Sequence, residues 1–194
     1  MAIDAKKILV GAPDQSATTG GVNYADTDAT MPTDARTALG NDFTPCGYVS
    51  EDGVTVTPST STANIRDWSR NVVRTLLDEF TGEVTFSFIQ TDYDSLVALF
   101  GEDAVTKTVA SSTHGEQLTI ALGAQLAPAK AYAFNMKDGD ARVRILLPNA
   151  QPTVDGDLTF VANQAINWAV HLDCSADANG KSIYIFTDDG VVSA

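Results

Sequence analysis

The sequence predicts a mainly β fold, a β-sandwich or open barrel with one short α-helix and long loops. In residues 83–90 (EVTFSFIQ), Val84, Phe86 and Phe88 alternate with the polar Glu83, Thr85 and Ser87. Further apolar runs are separated by Asp-Gly and Asn-Gly turns, and one segment has helical spacing. With 194 residues, of which 44% are hydrophobic, the chain can bury the core of one domain.

The beginning of the chain differs in composition from the rest. Residues 11–42 are rich in Gly, Ala, Thr, Asp and Ser, and they show neither helical nor strand periodicity. Long segments of this kind usually bind a partner or stay disordered. We therefore divide the chain into an N-terminal segment with an extended arm, residues 1–42, and a β-domain, residues 43–194.

Short strands follow the arm, joined mostly by polar turns. The predicted strands cover residues 47–50, 54–57, 71–77, 83–90, 105–110, 116–122, 129–137, 141–147, 157–173 and 182–186. The connections predicted between them include a polar stretch at 58–62, a turn at 78–82 and a loop at 148–156.

Residues 91–100 are predicted to form the helix. Thr91 can cap its N-terminus, Asp92 and Asp94 suit the positive end of the helix dipole, and Gly101 can end it. The helix is too short to be stable alone, so its apolar stripe should pack on the sheet.

The segment 157–173 alternates for longer than an ordinary strand of about 5–6 residues. Apolar residues occupy its even positions except for Gln164, and Thr159, Asn163 and Asn167 are among the polar residues at odd positions. This length favours a large curved sheet or a barrel.

The net charge of −13 limits the classes of function. Nucleic-acid binders gain affinity mainly from Lys and Arg, and anionic membranes attract basic surfaces, so both kinds of partner are disfavoured. No run approaches the roughly 20 apolar residues of a membrane span, and we expect neither export nor membrane insertion.

No residues converge on a catalytic motif in the sequence. His114 lies in a polar turn, and His171 lies on a polar strand face. The paired aspartates fall in turns, and residues 173–181 (DCSADANGK) resemble a calcium loop without its closing Glu. We interpret Cys46 and Cys174 as free thiols rather than as a disulfide. We predict no catalytic, cofactor-binding or metal-binding residues, and so no enzyme.

Three arginines, Arg66, Arg70 and Arg74, surround Trp68. Stacking on nucleic acid is a poor interpretation for so acidic a chain, so we predict salt bridges to an acidic neighbouring subunit. Trp68 is a candidate interface anchor or an ordinary core residue.

The order of these elements resembles the major tail tube proteins of long-tailed, siphovirus-like bacteriophages. The resemblance rests on the arm, the segment CGYVSEDGV at 46–54, the strand and helix running from Gln90 into TDYDSLVALFG at 91–101, and the Asn-Gly-Lys turn before the last strand. Relatives often carry Glu where this chain has Gln90.

The resemblance implies a structural virion protein that forms six-membered rings stacked into a hollow tube, in which the extended arm within residues 1–42 makes contacts between subunits. Its implied partners are further copies of itself, the tape measure, tail tip and tail terminator proteins, and phage DNA that passes without specific binding. It implies no cofactor, a place in the phage tail, and assembly in the host bacterial cytoplasm. An acidic channel wall would repel DNA and let it slide.

Candidate residues for these roles follow from the alternation and composition. The candidate lumen-facing residues are Glu83, Thr85, Ser87, Thr159, Asn163 and Asn167. The candidate inter-subunit residues are Tyr24, Met31, Arg66, Trp68, Arg70 and Arg74. Two alternatives stay open: a secreted immunoglobulin-like adhesin or pilus-type module, and an acidic-site hydrolase on a β scaffold.

Overall fold

The computed structural model describes residues 7–14 and 21–192 and confirms a mainly β fold with one short helix. The elements are β1 (Val22–Ala25), β2 (Thr44–Pro45), β3 (Thr55–Arg66), β4 (Val72–Phe88), α1 (Tyr93–Phe100), β5 (Val105–Thr108), β6 (Gln117–Ile120), β7 (Lys130–Asp138), β8 (Ala141–Val154), β9 (Trp168–Cys174) and β10 (Tyr184–Asp188).

One antiparallel sheet carries the strand order β2–β1–β7–β8–β9–β4–β3, and β10 also pairs with β8. Strand β8 pairs with β7 on one side; on the other it pairs first with β10 and then with β9. Beyond β2 the chain returns to the end of β4, where Val49 bridges Phe88 and the Ser50 amide donates to the Ser87 carbonyl at 2.8 Å. This return closes the sheet into a barrel.

The main core fills the barrel. Val84, Phe86 and Phe88 of β4 are buried, as the alternation predicts. The ring of Phe86 meets those of Phe88 and Phe134 edge to face, at centroid distances of 5.0 and 5.3 Å. Helix α1 packs on this core through Leu96 and its neighbours.

Helix α1 begins one residue later than the predicted cap implies. Asp92, not Thr91, is the N-cap, and its Oδ1 accepts a hydrogen bond from the Ser95 amide at 2.9 Å. The Thr91 hydroxyl instead accepts a hydrogen bond from Trp168 Nε1. Gly101 ends the helix as predicted, with φ of 82°.

The prediction that residues 11–42 contain no strand is wrong. Strand β1 lies between β2 and β7, and its four residues are all buried. The signal was hidden because a four-residue strand is too short to show alternation, and its partners lie far away in the sequence.

The segment after β1 packs on the outer face of the barrel. A second apolar cluster, which includes Ala131, Ala133 and Leu146, lies there, and Met31 and Leu39 cover it. The buried Arg144 ties the segment down, since its Nη1 donates to the carbonyls of Asp34 and Thr37 at 2.9 and 2.8 Å.

The predicted long strand over 157–173 is also wrong, because β9 begins only at Trp168. Trp168 pairs with Phe88, the last residue of β4, and β8 ends at Val154. No strand among the described residues pairs with 155–167, and this segment forms an irregular loop despite its alternation.

Long strands occur instead at the three places predicted as connections. The stretch at 58–62 and the turn at 78–82 pair with each other within β3 and β4, and a bulge between Ser61 and Thr62 accommodates the extra residue. The predicted loop at 148–156 belongs largely to β8. Pro148 lies at a register shift, where the missing backbone N–H of proline interrupts no regular ladder of hydrogen bonds.

We predict that Tyr132→Phe destabilises the subunit. The buried Tyr132 hydroxyl donates to the Ala98 carbonyl in the last turn of α1, so its removal leaves that acceptor unpaired at a cost of about 1–3 kcal/mol. Urea unfolding measures the change. Tyr48→Phe is the matched control because Tyr48 is exposed, and an equal effect of both variants would contradict the role of this bond.

We predict that Asp34 contributes to the free energy of unfolding and that this contribution is lost in acid. Its pKa is lowered from 3.8 to about 2 because Thr37 and Arg36 donate hydrogen bonds to the ionised carboxylate. That stabilisation is fully present above pH 3.8 and is lost as the pH falls through about 2. Asp34→Asn should therefore lower stability at neutral pH and approach wild type near pH 2. Unfolding curves across pH, with Asp42→Asn as control, measure this; a pH-independent difference would contradict it.

Candidate assembly surface

Strands β3 and β4 leave the barrel together as a long hairpin. At the barrel end Thr55 pairs with Thr85, and at the far end Arg66 pairs with Val72. Residues 57–81 are exposed except for the half-buried Leu76. One half of β4 therefore forms part of the barrel wall, while the other half projects into solvent.

The tip of the hairpin is a tight, hydrogen-bonded turn. The Asp67 carboxylate accepts from the Asn71 amide at 2.8 Å, and Arg70 adopts a positive φ of 66°. Arg66 Nη1 donates to the Arg70 carbonyl at 2.9 Å. These bonds hold the turn in shape while the Trp68 side chain is fully exposed.

Large apolar side chains are exposed along the hairpin. They are Ile65, Trp68, Val72, Val73, Leu77 and Phe80. Phe80 lies four residues before Val84 and so shares the face of β4 that is buried inside the barrel. An apolar patch that projects from a folded barrel is typical of a surface that another protein covers.

Polar side chains occupy the outer face of the barrel beside the hairpin. Glu83, Thr85 and Ser87 lie there on β4, half-buried. Across β9, Asp173 pairs with Glu83 and His171 pairs with Thr85. The sequence predicted the first three as one face, and the structure adds the two residues of β9 to it.

A second apolar surface lies at the end of α1. A cleft of about 810 Å³ is lined by the end of the helix, residues 121–128 and the end of β8. Leu122 and Leu126 are exposed along it. Phe160 and Val161, in the loop that replaces the predicted strand, are exposed as well.

The remaining predicted site residues lie in several places. Tyr24 is buried in the main core, and Met31 is partly buried on the second cluster, so each is already covered within the subunit. Thr159, Asn163 and Asn167 are exposed on the irregular loop and do not share the strand face of Glu83. Arg66, Trp68, Arg70 and Arg74 come together at the hairpin tip, as their spacing suggested.

Sequence reasoning missed Leu77, Phe80 and Val72 as surface residues. A signal was available, because residues 58–65 (PSTSTANI) contain no glycine and several β-branched side chains, which suit a strand. Reading that stretch as a partner for 72–82 would have predicted the hairpin.

Both cysteines are free thiols. Burial raises the pKa of the Cys46 thiol well above its ordinary value. The pKa of Cys174 is raised to about 12 by burial, and the nearby Asp173 and Glu83 carboxylates add to the shift. Neither thiol is therefore poised as a nucleophile.

Over residues 7–14 and 21–192, no helix has the length and apolar character needed to cross a membrane.

A barrel with a projecting hairpin that exposes large apolar side chains is typical of a structural subunit that assembles with other proteins. The chain belongs to the phage tail tube protein family, whose sequence model matches residues 1–193. It is thus a structural component of a phage tail and of the virion, as the resemblance implied, and family membership implies a structural rather than an enzymatic role.

No curated protein matches the chain. Among solved structures, the chain is similar to a chain of the anti-feeding prophage cap, the tube terminating cap, determined by cryo-EM, with 15% identity and a TM-score of 0.46. The likeness covers 97% of this chain and 100% of that one.

Proposed function

We propose that the chain assembles into stacked hexameric rings that form the hollow tail tube through which genomic DNA passes. The observation that carries the proposal is the β3–β4 hairpin, whose large apolar side chains are exposed in the part of the chain that the structure describes. Membership of the phage tail tube family supports the same conclusion.

The hairpin is the proposed contact with a neighbouring copy. Trp68 at its tip would act as the anchor, because a fully exposed indole gains the most apolar burial on docking. Arg66, Arg70 and Arg74 would pair with carboxylates of the neighbour, which carries a net charge of −13. Strand pairing between hairpins would also remove the exposed edge of β3.

The outer face of β4 and β9 is the proposed channel wall. Its side chains are polar, and Glu83 and Asp173 are acidic. An acidic wall would repel the DNA backbone and so favour passage over binding. Thr159, Asn163 and Asn167 are weaker candidates for this wall because they lie on a different segment from the other three.

The N-terminal segment has two proposed parts. Within residues 1–42, strand β1 and the segment that follows it belong to the fold of the subunit. Ala12 and Asp14 also form main-chain hydrogen bonds with β7. We propose that the rest of the segment before β1 makes the inter-subunit contacts of this region. Assembly in the host cytoplasm, and contacts with the tape measure, tail tip and tail terminator proteins, complete the proposal.

We predict that the purified chain forms stacked rings or tubes visible by negative-stain electron microscopy. Trp68→Ala should impair their formation because it removes the anchor, while urea unfolding of the subunit stays within about 0.5 kcal/mol of wild type. Trp68→Phe is the matched control and should retain more assembly. A wild-type chain that stays monomeric under tail-assembly conditions, or a Trp68→Ala variant that polymerises normally, would contradict the proposal.

We predict that Thr85 becomes sheltered on assembly. In tubes, Thr85→Cys should react with a small maleimide but not with one carrying a polymer too bulky to enter the channel. Thr113→Cys, in an exposed turn, is the control and should react with both reagents. In the free subunit both variants should react with both, and equal reaction with the bulky reagent in tubes would rule out Thr85 as a lumen residue.

A further inference from the structure

Three potential metal ligands converge on the outer face of β4 and β9. One ligand atom from each of Glu83, His171 and Asp173 lies within 4.8 Å of the others. His171 Nε2 and Asp173 Oδ1 are 3.2 Å apart. His171 and Asp173 lie two residues apart on one face of β9, and Glu83 is the direct cross-strand partner of Asp173.

The arrangement is electrostatically unfavourable without a cation. Like charges directly opposite each other on neighbouring strands destabilise a sheet. In the part of the chain that the structure describes, no lysine or arginine makes an ion pair with Glu83 or Asp173; His171 is the one basic partner of Asp173. A divalent cation between the two carboxylates would convert this repulsion into attraction.

We propose that Glu83, His171 and Asp173 form a binding site for a divalent transition-metal ion, best suited to Zn²⁺. An imidazole ligand favours zinc and its neighbours over Mg²⁺ and Ca²⁺, which prefer sites made of oxygen alone. Three protein ligands leave a position for water, the coordination of an open zinc site. All three ligands belong to two hydrogen-bonded strands, so the site is held by the barrel rather than by a loop.

The neighbouring thiol does not belong to this site. Cys174 follows Asp173 directly, so alternation directs its side chain to the opposite face of β9, where it packs against the main core. Its Sγ donates to the Leu172 carbonyl at 3.8 Å. The site is therefore distinct from a cysteine site, and its ligands all come from one subunit, so it does not depend on the proposed ring.

The test is calorimetric titration of the full chain, freed of metal with a chelator, with ZnCl₂ and separately with MgCl₂. We expect about one Zn²⁺ to bind per chain, because each chain has one such set of three ligands, and we expect no comparable heat from Mg²⁺. Zn²⁺ binding should be lost in His171→Ala and in the isosteric Glu83→Gln. His114→Ala is the matched control, because it removes the other histidine of the chain and should bind as wild type does.

Cobalt substitution identifies the ligands independently. Co²⁺ bound by nitrogen and oxygen gives visible bands without the strong ultraviolet charge-transfer band of a thiolate ligand. Absence of Zn²⁺ binding in the wild type, binding that survives His171→Ala or Glu83→Gln, or a thiolate band with Co²⁺ would each overturn the proposal. Since all three ligands belong to one subunit, failure of tube formation would leave the outcome of these measurements unaffected.

Discussion

The continuity of β4 determines both the core and the surface of this subunit. Its last residues, Val84 to Phe88, form a wall of the barrel, and the same strand extends unbroken to Val72 at the hairpin tip. The two strands stay paired over this length, with register shifts after Ser61 and Ile65, so burial of the phenylalanines at one end anchors the base of the hairpin that carries Trp68. Assembly through the hairpin would thus rest on the packing of the barrel.

Residues 21–42 show how a segment can be polar in composition and still belong to the fold. Strand β1 supplies main-chain hydrogen bonds to two neighbours, which requires little apolar sequence. Arg144 then holds the following segment by donating to two of its carbonyls, and Asn135 accepts from its Nε at 2.7 Å. Burial lowers the pKa of this guanidinium, and these acceptors offset the cost of burying its charge.

The polar face of β4 and β9 combines two features that a channel wall could use. Its acidic groups would repel DNA, while a bound cation would neutralise part of that charge locally. Both rest on the register that sets Glu83 opposite Asp173. A shift of one residue in this pairing would turn His171 and Asp173 towards the core, so the same register that buries Leu172 also assembles the polar face.

What the sequence by itself determined were the local features: the alternation of 83–90, the helix ending at Gly101, the cluster of arginines around Trp68, and the mainly β class. These depend on neighbours in the chain, and periodicity records them. The tertiary structure alone decided which segments pair, because strand pairing joins residues far apart. Residues 58–65 became a strand since 72–82 lie opposite them, whereas 157–167 alternate but have no partner. For the same reason His171 looked like an ordinary polar residue until β4 placed Glu83 beside it.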